Sequence, residues 1–227
     1  MSLRWILFAG LAAAGAAQAH EQITTRLTWS REVSRIVHRR CASCHRAGGP
    51  APMPLIRYED ARPWAAAIAE EVLERRMPPW AAVKGFGEFR HEMALSQEEI
   101  TVIADWATGG APEGDPALAP PASPPPKAPP QPRPIRARRL PLRDTLRLHA
   151  PVRLIAIRPS GLAEGASVQI TAERPDGAAE PLLWIRNHRA RFTRDYEFRA
   201  PILLPPGTRL TAAPPGAGSV TLLIGAR

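Results

Sequence analysis

Cysteine is scarce in this chain: of 227 residues only Cys41 and Cys44 are cysteines. A single pair excludes the multi-bridge framework of small disulfide-stapled domains, and no third thiol competes for either member. Long apolar runs are lacking as well. The run from Trp5 to Ala17 is too short to span a bilayer comfortably and no second one follows. Methionine stops at Met93, so the remainder of the chain has no thioether to offer a metal.

The two cysteines stand in Cys41-Ala42-Ser43-Cys44-His45. C-x-x-C-H is the spacing at which two thiols reach the two vinyl groups of one haem, with the histidine beneath the iron as proximal ligand. The expected cofactor is haem c, one per chain, held through thioethers at Cys41 and Cys44 with His45 on the iron. Two other readings exist. A thioredoxin-like redox pair belongs at a strand-to-helix junction, whereas here a predicted helix runs straight into Cys41. A zinc site needs two further ligands, and the next histidine along the chain, His91, is distant.

Residues 1–19 read as an export signal: Arg4 is the positive flank, the apolar run follows, and Ala17-Gln18-Ala19 is a cleavage site. This predicts a mature protein that starts at His20, is periplasmic or secreted, and has no transmembrane segment after cleavage. Proline then divides the chain. Residues 112–134 contain Pro124-Pro125-Pro126, Pro129-Pro130, Pro132 and Pro134, the composition of a stiff spacer. The expected organisation is a haem domain over 20–111, a linker over 112–134 and a second domain over 135–227.

Charge divides at the same point. Residues 20–111 carry 12 Lys and Arg against 12 Asp and Glu, while 112–227 carry 17 against 9. Arg136, Arg138, Arg139, Arg143 and Arg147 form one cluster. Such an excess fits an acidic docking partner for the basic C-terminal domain, or merely an arginine-biased composition on solvated positions. An exported chain is a poor candidate for binding nucleic acid.

Helical signals fill the first segment. Ser30 is placed as an N-cap for a helix through Val33, Ile36 and Val37 that delivers Cys41. A second helix starts near Pro63 and stops at Met77-Pro78-Pro79. A third begins at a capping box, Ser96 with Glu99, and ends at Gly109-Gly110. Trp64 and Trp80 are candidates to pack near the haem. For the sixth iron position Met77 is the first candidate, because two prolines stiffen the backbone after it, and Met53 in Ala51-Pro52-Met53-Pro54 is the alternative. Met93 and His91 lack such stiffening. The bland reading of either methionine is core packing.

Beyond residue 135 the chain reads as short strands, at 152–157, 167–172, 182–185, 192–198, 202–204, 208–212 and 219–224, with turns at Pro175-Asp176-Gly177 and Pro205-Pro206-Gly207. The expected fold class is multidomain: an all-α, cytochrome c-like three-helix haem domain followed by an all-β antiparallel sandwich, jelly-roll-like.

The stretch from Trp29 to Asp115 resembles the monohaem cytochrome c domains of bacterial multidomain proteins. The resemblance is carried by Cys41 to His45, Tyr58 to Trp64, Arg76-Met77-Pro78-Pro79-Trp80, Leu95 to Ile100 and Gly110 to Gly114. It implies His45 and Met77 as axial ligands. Residues Ile157-Arg158-Pro159, Pro175-Asp176-Gly177, Leu182 to Ile185 and Leu204 to Thr208 are similar, more weakly, to the C-terminal β-sandwich of copper type II, ascorbate-dependent monooxygenases. That family's His-x-His pair is replaced here by Arg158-Pro159-Ser160-Gly161 and its methionine ligand is missing, so the fold is implied without the activity. His149 and His188 read as surface or packing residues.

The function expected from the sequence is one-electron transfer between redox partner proteins by an electron carrier, not an enzyme. The alternatives are a redox enzyme passing electrons to a metal in the second domain and a haem-based ligand sensor.

Overall fold

The computed structural model describes residues 24–120 and 135–225. The expected export signal, His20, residues 121–134 of the expected linker and the last two residues lie outside them.

Thr28 caps the first helix: its hydroxyl accepts from the Arg31 N–H, and its own N–H donates to the Glu32 carboxylate at 2.9 Å. One wide turn, Trp29–Val33, then tightens into α1, Ser34–Arg40. Ser30, expected to be the cap, is instead buried inside that turn, which lets Trp29 reach Trp106 at 5.8 Å between ring centroids. A short α2, Tyr58–Ala61, leads through a tight turn around Pro63 into α3, Ala65–Leu73. The last α-helix is α4, Gln97–Thr108, whose capping box at Ser96 and Glu99 forms in both directions. Trp106 is fully buried and donates its indole N–H to the Pro112 carbonyl at 3.0 Å. The carbonyls of Pro112 and Glu113 also accept from Trp29 and Ser30, both at 2.9 Å, so the start of the proline-rich stretch lies against the helices.

Eight strands follow: β1 (Arg138–Leu142), β2 (Thr145–Arg147), β3 (Val152–Leu162), β4 (Val168–Glu173), β5 (Ala179–Ile185), β6 (Tyr196–Leu204), β7 (Arg209–Ala213) and β8 (Gly218–Ile224). They form two four-stranded antiparallel sheets, ordered β1-β8-β3-β6 and β2-β7-β4-β5, the order of interleaved Greek keys. Alternate residues of both sheets, among them Leu154, Ile170, Leu182, Leu210 and Leu222, are completely buried in one shared core. A bulge between Leu154 and Ala156 shifts the register of β3 against both of its neighbours.

The expected fold class needs correction. The described chain is mostly strand in two antiparallel sheets, its helices are short, and the first part is not an all-α three-helix domain set ahead of a separate sandwich. Between α3 and α4, residues 81–83 and 88–90 pair with the sheet edges. Ala82 bridges Ile185 at the edge of one sheet, Phe89 bridges Phe198 at the edge of the other, and Gly85 and Gly87 make the turn between them. Trp80, Ala82 and Phe89 sit in the sheet core. The physical reason is that β5 and β6 are edge strands whose outer N–H and C=O groups need partners, and this Gly-turned segment supplies them.

Candidate functional site

α1 ends where its geometry loosens. The Val37 carbonyl accepts from the N–H of both Cys41 and Ala42, at 2.8 and 2.9 Å, and the Cys41 carbonyl then accepts from Cys44 and His45 at 3.0 and 2.9 Å. Both cysteines and the histidine therefore belong to one tight turn leaving the helix, with both thiols free. The chain next folds back: Leu55 donates to the His45 carbonyl at 3.0 Å, and His45 Nδ1 lies 3.1 Å from the Met53 carbonyl. A ring nitrogen facing a carbonyl must carry the proton, so Nδ1–H donates and Nε2 is left with its lone pair free to bind a metal. Burial holds the His45 imidazole below its ordinary value, the Met53 bond opposing, so the ring is neutral at pH 7.

The Cys41 thiol is pushed up to about 12, chiefly by burial, then by Cys44 and Glu99. A thiol held protonated is not the low-pKa attacking group of a dithiol oxidoreductase. Cys41 and Met53 both pack on the cluster formed by Trp29, Val33, Val37 and Leu55.

One carboxylate ties this turn to the rest of the helices. Glu99 Oε1 accepts from Arg39 at 2.8 Å and from Arg40 at 3.1 Å, while its other oxygen takes the Ser96 N–H at 2.8 Å. Burial pushes the Glu99 carboxyl up, but the Ser96 N–H and the two guanidinium groups outweigh it and hold the group below the usual carboxylate range. Arg40 immediately precedes Cys41, so Glu99 fixes the place from which the turn starts.

The structure brings together Cys41, Cys44, His45 and the main chain of Met53. Met77 stands apart from them. Its N–H donates to the Glu71 carbonyl at the end of α3, at 3.1 Å, and its side chain lines a narrow cleft with Val72, Trp80, Leu95, Ile100 and Arg186. Glu99 and Ile100 are consecutive, so the first turn of α4 touches the C-x-x-C-H side through one residue and the Met77 cleft through the next. Of the two tryptophans expected near the site, Trp64 is 44% exposed and Trp80 lies in the sheet core, edge-on to Tyr196 at 5.0 Å. Met93 accepts a guanidinium contact from Arg194 at 3.2 Å, and His91 is exposed. His188 is buried with its Nε2 3.3 Å from the Thr193 hydroxyl, and His149 is exposed. Among the described residues no group of three or more His, Cys, Asp and Glu side chains is arranged to hold a metal ion. None of their helices is long and apolar enough to cross a membrane.

The residues present fit covalent haem: two free thiols and an oriented imidazole in one turn, against an apolar cluster. Sequence reasoning missed three parts of this setting. The Met53 carbonyl has no side-chain signature, Glu99 was visible only as a cap, and the pairing of residues 81–90 with distant strands leaves only the two glycines as a local trace. No protein-family model, no curated protein and no solved structure matches the chain.

Proposed function

We propose that this protein is a periplasmic or secreted c-type cytochrome that carries one electron at a time between redox partner proteins. The observation that carries the reading is the His45 Nδ1–Met53 carbonyl bond at 3.1 Å, which fixes the tautomer and presents Nε2 as a neutral ligand. Haem c on Cys41 and Cys44 would supply the reversible Fe(II)/Fe(III) couple. The chain's own residues hold the ring in place: Leu55 anchors the His45 backbone, and Glu99 anchors Arg40 beside Cys41.

The same bond supports Met77 over Met53 as the second residue that would hold the iron. The two nitrogens of an imidazole face opposite ways, so the Met53 main chain stands behind the ring, on the side away from the metal that Nε2 would bind. A thioether from the far side must come from another segment, and Met77 is the methionine that two prolines follow. His45 and Met77 would both hold the iron, which would leave reversible electron transfer as the chemistry the group supplies, and we assign the protein as a carrier. The arginine-rich first strands fit an acidic partner: Arg138, Arg139, Arg143 and Arg147 are all exposed.

The test is the absorption spectrum of periplasmically matured protein, oxidised and reduced, for wild type and Met77→Ala. The reading expects the c-type reduced band in both and the weak far-red band of methionine-ligated ferric haem in the wild type alone. Protein matured without attached haem would overturn it. Attached haem lacking the far-red band would shift the assignment to a ligand sensor or an enzyme.

A further inference from the structure

We infer that the double sheet braces the loop carrying Met77, with the buried Tyr196 as the positioning residue. This rests on the assignment of Met77 to the iron, and it gives the sheets a part in the redox centre itself.

The loop is fastened at both ends. On the helical side Met77 N–H bonds the Glu71 carbonyl at 3.1 Å. On the other side, four residues on, the Ala81 N–H donates to the Tyr196 hydroxyl at 3.2 Å, a contact that spans 115 residues of sequence. Two main-chain bonds continue the attachment: Val83 N–H to Trp184 at 2.8 Å and Arg186 N–H to Ala81 at 2.9 Å. Between the two anchors stand Pro78, Pro79 and Trp80. Proline has one fixed backbone torsion per residue, so little slack separates Met77 from Ala81. Trp80 is gripped in turn, edge-on to Tyr196 at 5.0 Å and to Phe89 at 6.3 Å, with the Arg194 guanidinium 5.5 Å from its ring centre.

Tyr196 is only 2% exposed, and its hydroxyl is spent on the loop rather than on its own sheet. Its removal as an acceptor leaves the Ala81 N–H without a partner at this point and loosens the far end of the loop, which the two main-chain bonds still hold. A thioether is a weak, neutral ligand whose hold depends on how well the protein positions it, so a looser loop raises the share of molecules in which Met77 has left the iron.

The experiment uses the full haem-loaded chain as wild type, Tyr196→Phe, Arg194→Ala and, as a control for general weakening of the sheets, Leu210→Ala. Leu210 is fully buried in β7, an inner strand that does not pair with the loop. Two quantities are read: the rate at which carbon monoxide binds the reduced protein, and the gap between the temperature at which the far-red band disappears and that of global unfolding. Tyr196→Phe is expected to raise the carbon monoxide rate about fivefold, the factor one net hydrogen bond supplies, and to widen the gap. Arg194→Ala shifts both in the same direction and serves if Tyr196→Phe does not fold. Leu210→Ala lowers global unfolding without raising the rate. A wild-type far-red band with neither variant changing either quantity overturns the brace alone, as does an equal response from Leu210→Ala. A wild type without the band overturns the Met77 assignment and the brace together.

Discussion

His45 donates from Nδ1 to the main-chain oxygen of Met53, 3.1 Å away, so the methionine nearest the C-x-x-C-H turn in sequence serves the imidazole through its backbone. Replacing its side chain leaves that bond intact. Met53→Leu is therefore expected to keep the far-red band of the oxidised protein and Met77→Ala to lose it. The reverse pattern in spectra of the two matured variants would reassign the ligand to Met53.

Glu99 makes the helices acid-sensitive. Its carboxyl titrates lower folded than unfolded, so its contribution is fully present above the ordinary glutamate value of about 4.3 and is lost as the pH falls through the lower folded value. Urea unfolding of wild type and Glu99→Gln should differ by about 1–3 kcal/mol near neutrality, since the variant leaves two arginines against an uncharged partner. The difference should shrink towards zero as the pH is lowered below 4. A constant difference would show that the charge is not what the arginines use.

Trp106 ties three segments together, packing on Trp29 and bonding Pro112. Trp106→Ala should cost about 3–5 kcal/mol. Trp106→Phe, which keeps most of the volume but drops the indole donor, should cost about 0.5–1.5 kcal/mol, because the Pro112 carbonyl keeps the Trp29 N–H as a partner. Denaturant titration of both variants checks the ranking, and equal losses would mean that the hydrogen bond contributes nothing.

Gly87 closes the turn between the two bridged edges at φ +82°, with the Leu182 carbonyl and the Phe89 ring where a side chain would start. Gly87→Ala should destabilise by roughly 1–3 kcal/mol through backbone strain and displacement of the segment. Gly177→Ala, also at positive φ but with open space around it, should cost less. Thermal unfolding of the pair separates the steric contribution from the conformational one.

What the sequence revealed depended on how local its cause was. α4 was legible because Ser96, Glu99 and Gly109 act within one turn of their own positions, and the strand at Val168–Glu173 was legible as a run of β-favouring residues. Thr28 was overlooked for Ser30 because both are capping types and only the burial of Ser30 in the folded chain distinguishes them. β1 and β2 read as a basic cluster because each carries as many arginines as leucines and Pro141 interrupts the pattern. β6 read as two strands because Pro201 falls inside it, which an antiparallel edge tolerates. The C-x-x-C-H spacing was plain. The orientation of His45 by Met53 and the anchoring of Ala81 by Tyr196 were not, since one uses a carbonyl and the other a partner that only the completed sheets bring near.

The segment at 80–93 precedes in the chain the strands it covers. Strands β5 and β6 made without it would present two open rows of hydrogen-bonding groups over a largely aliphatic core, a template on which other copies can add strand by strand. The C-terminal part expressed from residue 135 onward is thus expected to aggregate where the longer chain remains dispersed. In the longer chain the covering segment is synthesised first and is already present when those edges form.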